Sequence, residues 1–367
     1  MTKQLYDKLA DLLVRYSLKV SPGDLICLQG SDITVPVMGP LARAVLAAGG
    51  HPFADLSVED VIEAVHEAPD IEQTRYINQL PVNQIKTVDG IIKLHGMRNT
   101  KYLSAFPLER VKAYQEGQAP FRREYFRRLN DKSLKWCVSL FPCHSVAQDS
   151  NMSLWELEDL AFKACLLDKP DPVAAWQEVG REQERIAIIL RTKHQIRAVG
   201  PGTDLTVTCE GRNWVSCCGE NNMPDGEIFT SPVESETQGQ ITFSYPAIFN
   251  SREVEGVVLK FRDGLCVDAS ATRDEEYLHS MLSTDAGAKM LGEFAFGTNA
   301  AVTSFTKNIL FDEKIDGTIH CALGNAYSDA GGTNQSLIHW DMICNLKQNS
   351  QVYADEEKIY ENGKFLI

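Results

Sequence analysis

Six residues in the last two-fifths of this 367-residue chain carry groups that bind divalent cations or polarise a carbonyl. They are Glu227 in MPDGEIFTSP, Glu293 in DAGAKMLGEFAFG, His320 and Tyr327 in TIHCALGNAY, and His339 with Asp341 in SLIHWDM. Hydrolytic metal sites are built from carboxylate oxygens and imidazole nitrogens, with few or no thiolates. Five such donors exceed the needs of one catalytic zinc. They suit two ions that share a bridging carboxylate and an activated water. A phenol nearby can donate a hydrogen bond to the oxyanion that forms when a carbonyl is attacked, a task for a neutral donor already in place.

Each residue alone has a plainer account. A histidine in an apolar strand such as TIHCALG is usually a satisfied core residue, and a glutamate ahead of an apolar run usually faces solvent. The tightest local pattern is His339-x-Asp341. If SLIHWDMIC is a strand, residues two apart share a face, so imidazole and carboxylate point together while Ile338, Trp340 and Met342 pack behind. The alternative is a half-exposed strand with its polar side in water. Pro224-Asp225-Gly226 is a turn that would present Glu227 at the head of the strand Ile228-Phe229-Thr230.

The elements that must hold these groups fall into two textures. In the first half, helical spacing (Leu5, Leu9, Leu12, Leu13, Tyr16; then Pro36 to Ala48, closed by Gly49-Gly50) alternates with short apolar runs at 24–29, 52–58, 90–95 and 134–140. Strands separated by helices imply βαβ units and a largely parallel sheet. His95 stands at the end of one such strand, placed to line a cleft. A long amphipathic helix is expected from Val173 to Arg197. Beyond it, DLTVTCEG, QITFSYPAIF and REVEGVVLKFRDGLCVDAS alternate apolar and polar residues between turns, as strands do. The expectation is an α/β N-terminal domain over 1–185, with a role in dimer contact or cleft closure, and an α+β, strand-rich metal-binding domain over 186–367.

Bulk composition excludes several classes. Hydrophobic content of 44% with 23% charged residues is that of a globular protein. A net charge of −14 argues against nucleic acid or an anionic membrane as partner. The basic run Arg122-Arg123-Glu124-Tyr125-Phe126-Arg127-Arg128 therefore reads as a helix face paired with acids. The first helix carries charges and lacks the pattern of a signal peptide, and no apolar run is long enough to span a bilayer. Ten cysteines without CxxC spacing predict reduced thiols and a cytoplasmic protein. The adjacent Cys217 and Cys218 read as ordinary strand residues.

Several linked motifs in fixed order are more specific than any one of them. N-x-P-x-x-E-x-F-T-x-P around Glu227, G-A-x-x-L-G-E ending at Glu293, H-x-A-x-G-x-A-Y from His320 to Tyr327 and S-x-x-H-x-D from Ser336 to Asp341 resemble the M29 metallopeptidases, the aminopeptidase T and aminopeptidase S group. The resemblance covers most of the chain. It implies two divalent metals, zinc, cobalt or manganese, held by Glu227, Glu293, His320, His339 and Asp341, with Tyr327 as catalytic tyrosine and Glu227 or Glu293 in proton transfer. It further implies a homodimer that removes N-terminal amino acids from short peptides. Asp312-Glu313-Lys314 departs from the family pattern, where asparagine is usual at the third place, and the segment between Tyr327 and His339 is short. An amidase or esterase with the same metal chemistry, or a non-catalytic dimeric scaffold, are the alternatives.

Overall fold

The computed structural model describes residues 3–250 and 252–367. The chain divides into two compact units, Met1–Val173 with Gly219–Met223, and Ala174–Cys218 with Pro224–Ile367.

The first unit is built on four parallel strands, β1 (Leu25–Ser31), β2 (His51–Ser57), β3 (Gly90–His95) and β4 (Lys135–Leu140), in the order β2-β1-β3-β4. The pair Asn222–Met223 extends the sheet beyond β4. Ile26, Cys27, Leu28, Ile91, Ile92 and Leu94 are buried, as near-continuous apolar strands are when helices cover both faces of a parallel sheet. Helix Leu154–Ala164 starts at a capping box: Ser153 accepts from the Glu156 N–H, and the Glu156 carboxylate accepts from the Ser153 N–H. The basic run lies on helix Ala119–Asn130. Arg127 pairs with Glu124 at 2.7 Å and Asp131 at 2.6 Å. Arg128 is buried and donates to the Ile85 and Val88 carbonyls at 2.8 and 2.6 Å, next to the end of helix Gln79–Thr87. It therefore satisfies carbonyls at a helix terminus.

The second unit begins with helix Pro172–Leu190, which stops short of the expected Arg197. Gln195–Gly200 is instead a strand, with Gln195 and Arg197 exposed and Ile196 and Ala198 buried. Period-two burial here overrides the helical pattern upstream. That strand lies in an eight-stranded antiparallel sheet. A second, five-stranded antiparallel sheet holds β5 (Val215–Cys217), β6 (Glu227–Thr230), β7 (Leu291–Gly297), β8 (Thr318–Gly324) and β9 (His339–Asn345), in the order β9-β8-β7-β6-β5.

One apolar core joins the two sheets. Ile196, Leu205, Val207, Ile241, Leu259 and Val352 from the large sheet cluster with Ile228, Phe294, Phe296, Cys321, Trp340 and Met342 from the small one. The Phe294 and Phe296 rings meet edge to face at 5.5 Å, and Trp214 lies 6.0 Å from Phe296. Such packing fixes the small sheet from behind. Truncating one of these rings costs about 3–5 kcal/mol. Among the described residues no helix is long and apolar enough to cross a membrane.

Candidate metal centre

The small sheet turns its other face to the chemistry. On β8, Ile319, Cys321 and Leu323 point into the core, so His320, Ala322 and Gly324 face the opposite way. Register then aligns the neighbours. Ala322 stands opposite both Asp341 and Glu293, Gly324 opposite His339, and Ala295 opposite His320. Glu227 lies across β7 at Gly297. Alanine and glycine at these central positions keep the space clear for carboxylates arriving from the strands beside them.

Two backbone irregularities aim the acids. The β7–β8 register shifts between Leu291 and Glu293, and a Cβ on Gly292 would lie 2.2 Å from the Asn325 carbonyl oxygen. The bulge re-aims Glu293, as bulges beside active sites do. Gly226 adopts φ +124, where a Cβ would clash with Asn299, and that turn feeds the chain into Glu227.

All five donors predicted from the sequence converge. Glu227, Glu293 and His320 form one set whose ligand atoms lie within 4.8 Å of each other, and Glu293, His339 and Asp341 form a second. Glu293 belongs to both. His320 Nε2 is 3.2 Å from Glu227 Oε2 and 3.6 Å from Glu293 Oε1; His339 Nε2 is 3.2 Å from Glu293 Oε2 and 3.5 Å from Asp341 Oδ2. His339 Nδ1 sits 2.8 Å from the Asn325 carbonyl, which makes Nδ1 the N–H donor there and turns Nε2 towards the carboxylates. Tyr327 joins the edge of the set, its hydroxyl 3.4 Å from His339 Nε2 and its ring against Phe229 at 5.2 Å.

The donor set fits cations. Both ring nitrogens of His320, Glu227 Oε2 and Asp341 Oδ1 are buried without an aligned hydrogen bond. A buried polar atom left so costs about 1–3 kcal/mol, which a bound ion relieves. Protons take up part of the strain otherwise. Burial alone would raise Glu293 and lower His339, but hydrogen bonding and charge between them, with His320 and Asp341, bring Glu293 down to about 2 and His339 up to about 10. Burial, with Glu293 and Asp341 nearby, pushes the Tyr327 hydroxyl well above its ordinary value and keeps it a neutral donor, although 43% of the residue remains exposed.

Sequence reasoning missed Asp225, Glu313 and Lys314 as members of this site. The Lys314 ammonium is fully buried, 2.6 Å from Glu227 Oε1, 2.6 Å from Glu313 Oε1 and 3.5 Å from Asp225 Oδ1. Glu313 also comes within reach of His320 and Asp341, and Cys217 within reach of Asp225 and Glu227. The departure at Lys314 was the signal available. A lysine in place of an amide in a run before a ligand strand is a charge that must find partners. Burial pushes Glu313 up to about 8 against the pull of Lys314.

A family model described as thermophilic metalloprotease (M29) matches residues 2–365. The chain belongs to this M29 family. It is similar to aminopeptidase T of Thermus aquaticus, 27% identical over 396 residues that cover 97% of this chain and 95% of that protein. Aminopeptidase 2 of Geobacillus stearothermophilus is 25% identical over 384 residues, covering 92% of this chain and 91% of its own. In fold it is similar to wild-type AmpT from Thermus thermophilus, with a TM-score of 0.86 and 23% identity over the whole of both chains. M29 membership favours a peptidase over the amidase, esterase and scaffold alternatives.

The turn presenting Glu313 and Lys314 is fixed by Asp312, whose Oδ1 accepts from the Thr306 N–H at 2.6 Å and hydroxyl at 2.8 Å. Burial raises this carboxyl to about 7, against roughly 3.9 in an unfolded chain. Between those values the unfolded chain binds fewer protons, so this group's contribution to stability falls as pH rises from about 4 to about 7. Asp312→Asn keeps the accepting oxygen and removes the titration. Its stability gain in urea unfolding of chelator-treated protein should be roughly 2–3 kcal/mol larger at pH 8 than at pH 5. An equal gain at both pH values would contradict this account.

Proposed function

We propose that Glu227, Glu293, His320, His339 and Asp341 hold two divalent cations with Glu293 shared between them, and that the chain uses them to release N-terminal amino acids from short peptides. As an M29 peptidase it is a metal-dependent aminopeptidase. The observation that carries the dinuclear reading is that Glu293 is common to the two donor sets built wholly from the five motif residues. Charge supports it. Asp225, Glu227 and Glu313 crowd around Lys314, Glu293 and Asp341 lie beside His339, and dications bound there would take over the balancing role of the protons on Glu313 and His339. Oxygen and imidazole ligation suits zinc, cobalt or manganese.

When bound, such ions supply Lewis acidity and a water ionised near neutral pH. The chain's own groups do the rest. The negative set draws the substrate's cationic α-amine, which selects free N-termini. Tyr327 donates its hydroxyl proton in a hydrogen bond to the developing oxyanion, and Glu227 or Glu293 carries a proton from water to the departing amine. The small face of Ala295, Ala322 and Gly324 leaves space over the donors for the peptide.

Tyr327→Phe is expected to lower kcat by about 10²–10³-fold while metal content stays unchanged, as for loss of one oxyanion donor. Metal lost together with the hydroxyl would assign Tyr327 to ligation instead. The reading as a whole is tested by elemental analysis of protein purified without chelator, with hydrolysis of a free-amine dipeptide series. Two ions per chain, with chelator-sensitive activity restored by zinc, cobalt or manganese, support it. Bound metal without peptide cleavage would sink the substrate assignment.

All ten cysteines are free, as suits a reducing compartment, and we place the protein in the cytoplasm. The homodimer is carried from the family resemblance, as is the division of labour in which residues 186–367 hold the metals. A net charge of −14 opposes nucleic-acid binding.

A further inference from the structure

A second site lies in the unit built on β1 to β4. There a crevice of about 390 Å³ opens beyond the carboxyl ends of the parallel strands. The outer rows of a helix-covered parallel sheet should be apolar; here they are not. Asp55, Gln29 and Lys93 stand side by side across β2, β1 and β3, and Ser57 pairs with Ser31 in the row two residues on. His95 follows Lys93 by two positions and so shares its face. The order β2-β1-β3 means the chain leaves β1 on one side and returns on the other. In open α/β sheets ligands bind outside the carboxyl ends of the strands at such a switch point.

The charges in the crevice are held apart. Gln29 and Gln84 donate to Asp55 Oδ2 at 3.2 and 3.0 Å, which fixes this carboxylate in place. Glu59 Oε1 accepts the Arg98 backbone N–H at 2.6 Å. The Lys93 and His95 side chains make no hydrogen bond or ion pair among the described residues, so Lys93 shares a row with Asp55 without reaching it. Two strand spacings, roughly 10 Å between their Cα atoms, separate them. The Lys93 and His95 side chains stay open to solvent at the crevice mouth, and partial loss of water lowers Lys93 and, with the charge of Lys93, brings His95 down to about 4.

We infer that this crevice binds a free α-amino acid, its carboxylate held by Lys93 and His95 and its ammonium by Asp55. A simple anion would face Asp55 unpaired and a simple cation would face Lys93, whereas a zwitterion satisfies both. The His95 imidazole donates an N–H to the carboxylate. Ser31, Ser57 and Tyr102 supply hydroxyls around the walls. The volume lies near the lower end of the range for small-molecule sites, which suits a ligand of amino-acid size. None of this depends on the metal donors, which belong to the other unit.

The test is calorimetric titration of the metal-loaded protein with leucine and glycine, with acetate, ethylamine and inorganic phosphate as half-ligands. One amino-acid site per chain that persists in Asp341→Asn is expected, weakened about tenfold or more by Lys93→Met and by Asp55→Asn. The half-ligands should bind at least about tenfold more weakly. Lys93→Arg, which keeps the charge, should retain binding and guards against a misfolded Met variant. Binding lost only in Asp341→Asn would place the ligand at the metal donors and overturn the proposal. So would affinity indifferent to Lys93→Met and Asp55→Asn, phosphate or acetate binding as tightly as leucine, or no amino-acid binding at all.

Discussion

Glu293→Ala should cut metal content from two ions per chain to one or none and lower kcat/KM by about a thousandfold, some 4 kcal/mol of transition-state stabilisation. The expectation follows from its place in both donor sets. Removing Asp341 or Glu227 strips one set and leaves the other; removing Glu293 strips both. Three measurements separate the cases: metal per chain by elemental analysis, dipeptide turnover, and reactivation at millimolar metal. If Glu293→Ala retains two tightly held ions, or if Asp341→Asn loses as much metal as Glu293→Ala, the shared carboxylate is assigned to the wrong residue. Glu293→Ala should still fold, because its side chain faces away from the cluster containing Phe294 and Phe296.

Lys314→Met should cost as much stability as truncating a core ring. The ammonium is buried against Glu227, Glu313 and Asp225, and those carboxylates hold it charged although burial alone would lower its pKa. Breaking a buried pair by removing one partner costs about 3–5 kcal/mol, because the other charge stays behind unpaired. Urea unfolding of chelator-treated protein at pH 8 measures the loss. Excess divalent metal should narrow the gap between Lys314→Met and the wild type, since cations bound to the native state return positive charge to the same carboxylates. Equal stability of the two proteins without metal would show that the carboxylates shed their charge instead. A loss of stability that metal leaves unaltered would detach Lys314 from the donor set.

The donor-bearing strands were legible because their chemistry and their packing use the same alternation. His339-x-Asp341, with Trp340 and Met342 between and behind, reads as one strand with two faces, and the structure has that strand. His320 within TIHCALG reads the same way. The parallel strands of the first unit lie within a residue or two of their expected places, since apolar runs between helices leave little choice. What was not legible came from approach between segments distant in sequence. Lys314 and Asp225 are 89 positions apart and meet only because β6, β7 and β8 are adjacent and register puts Glu227 at Gly297. No local pattern encodes that register. The bulge at Gly292 is a similar case, a glycine whose reason lies in the Asn325 carbonyl across the sheet. The overlong helix expected to Arg197 failed because an amphipathic helix ran straight into an alternating strand, with no proline or glycine between residues 190 and 195 to mark the change.

The two-faced small sheet also restricts how this lineage can vary in length. One residue inserted or deleted within β8 or β9 would exchange the faces of everything downstream in that strand, carrying Trp340 towards the acids and His339 into the core. Substitution can be absorbed there and a frame change cannot. Gains and losses of residues are therefore expected in the turns, such as 298–317 and 325–338. Tyr327, Glu313 and Lys314 sit in those turns while the strands carry the donors. Substrate range can then be remodelled by lengthening or trimming loops, with the donor-bearing frame left intact.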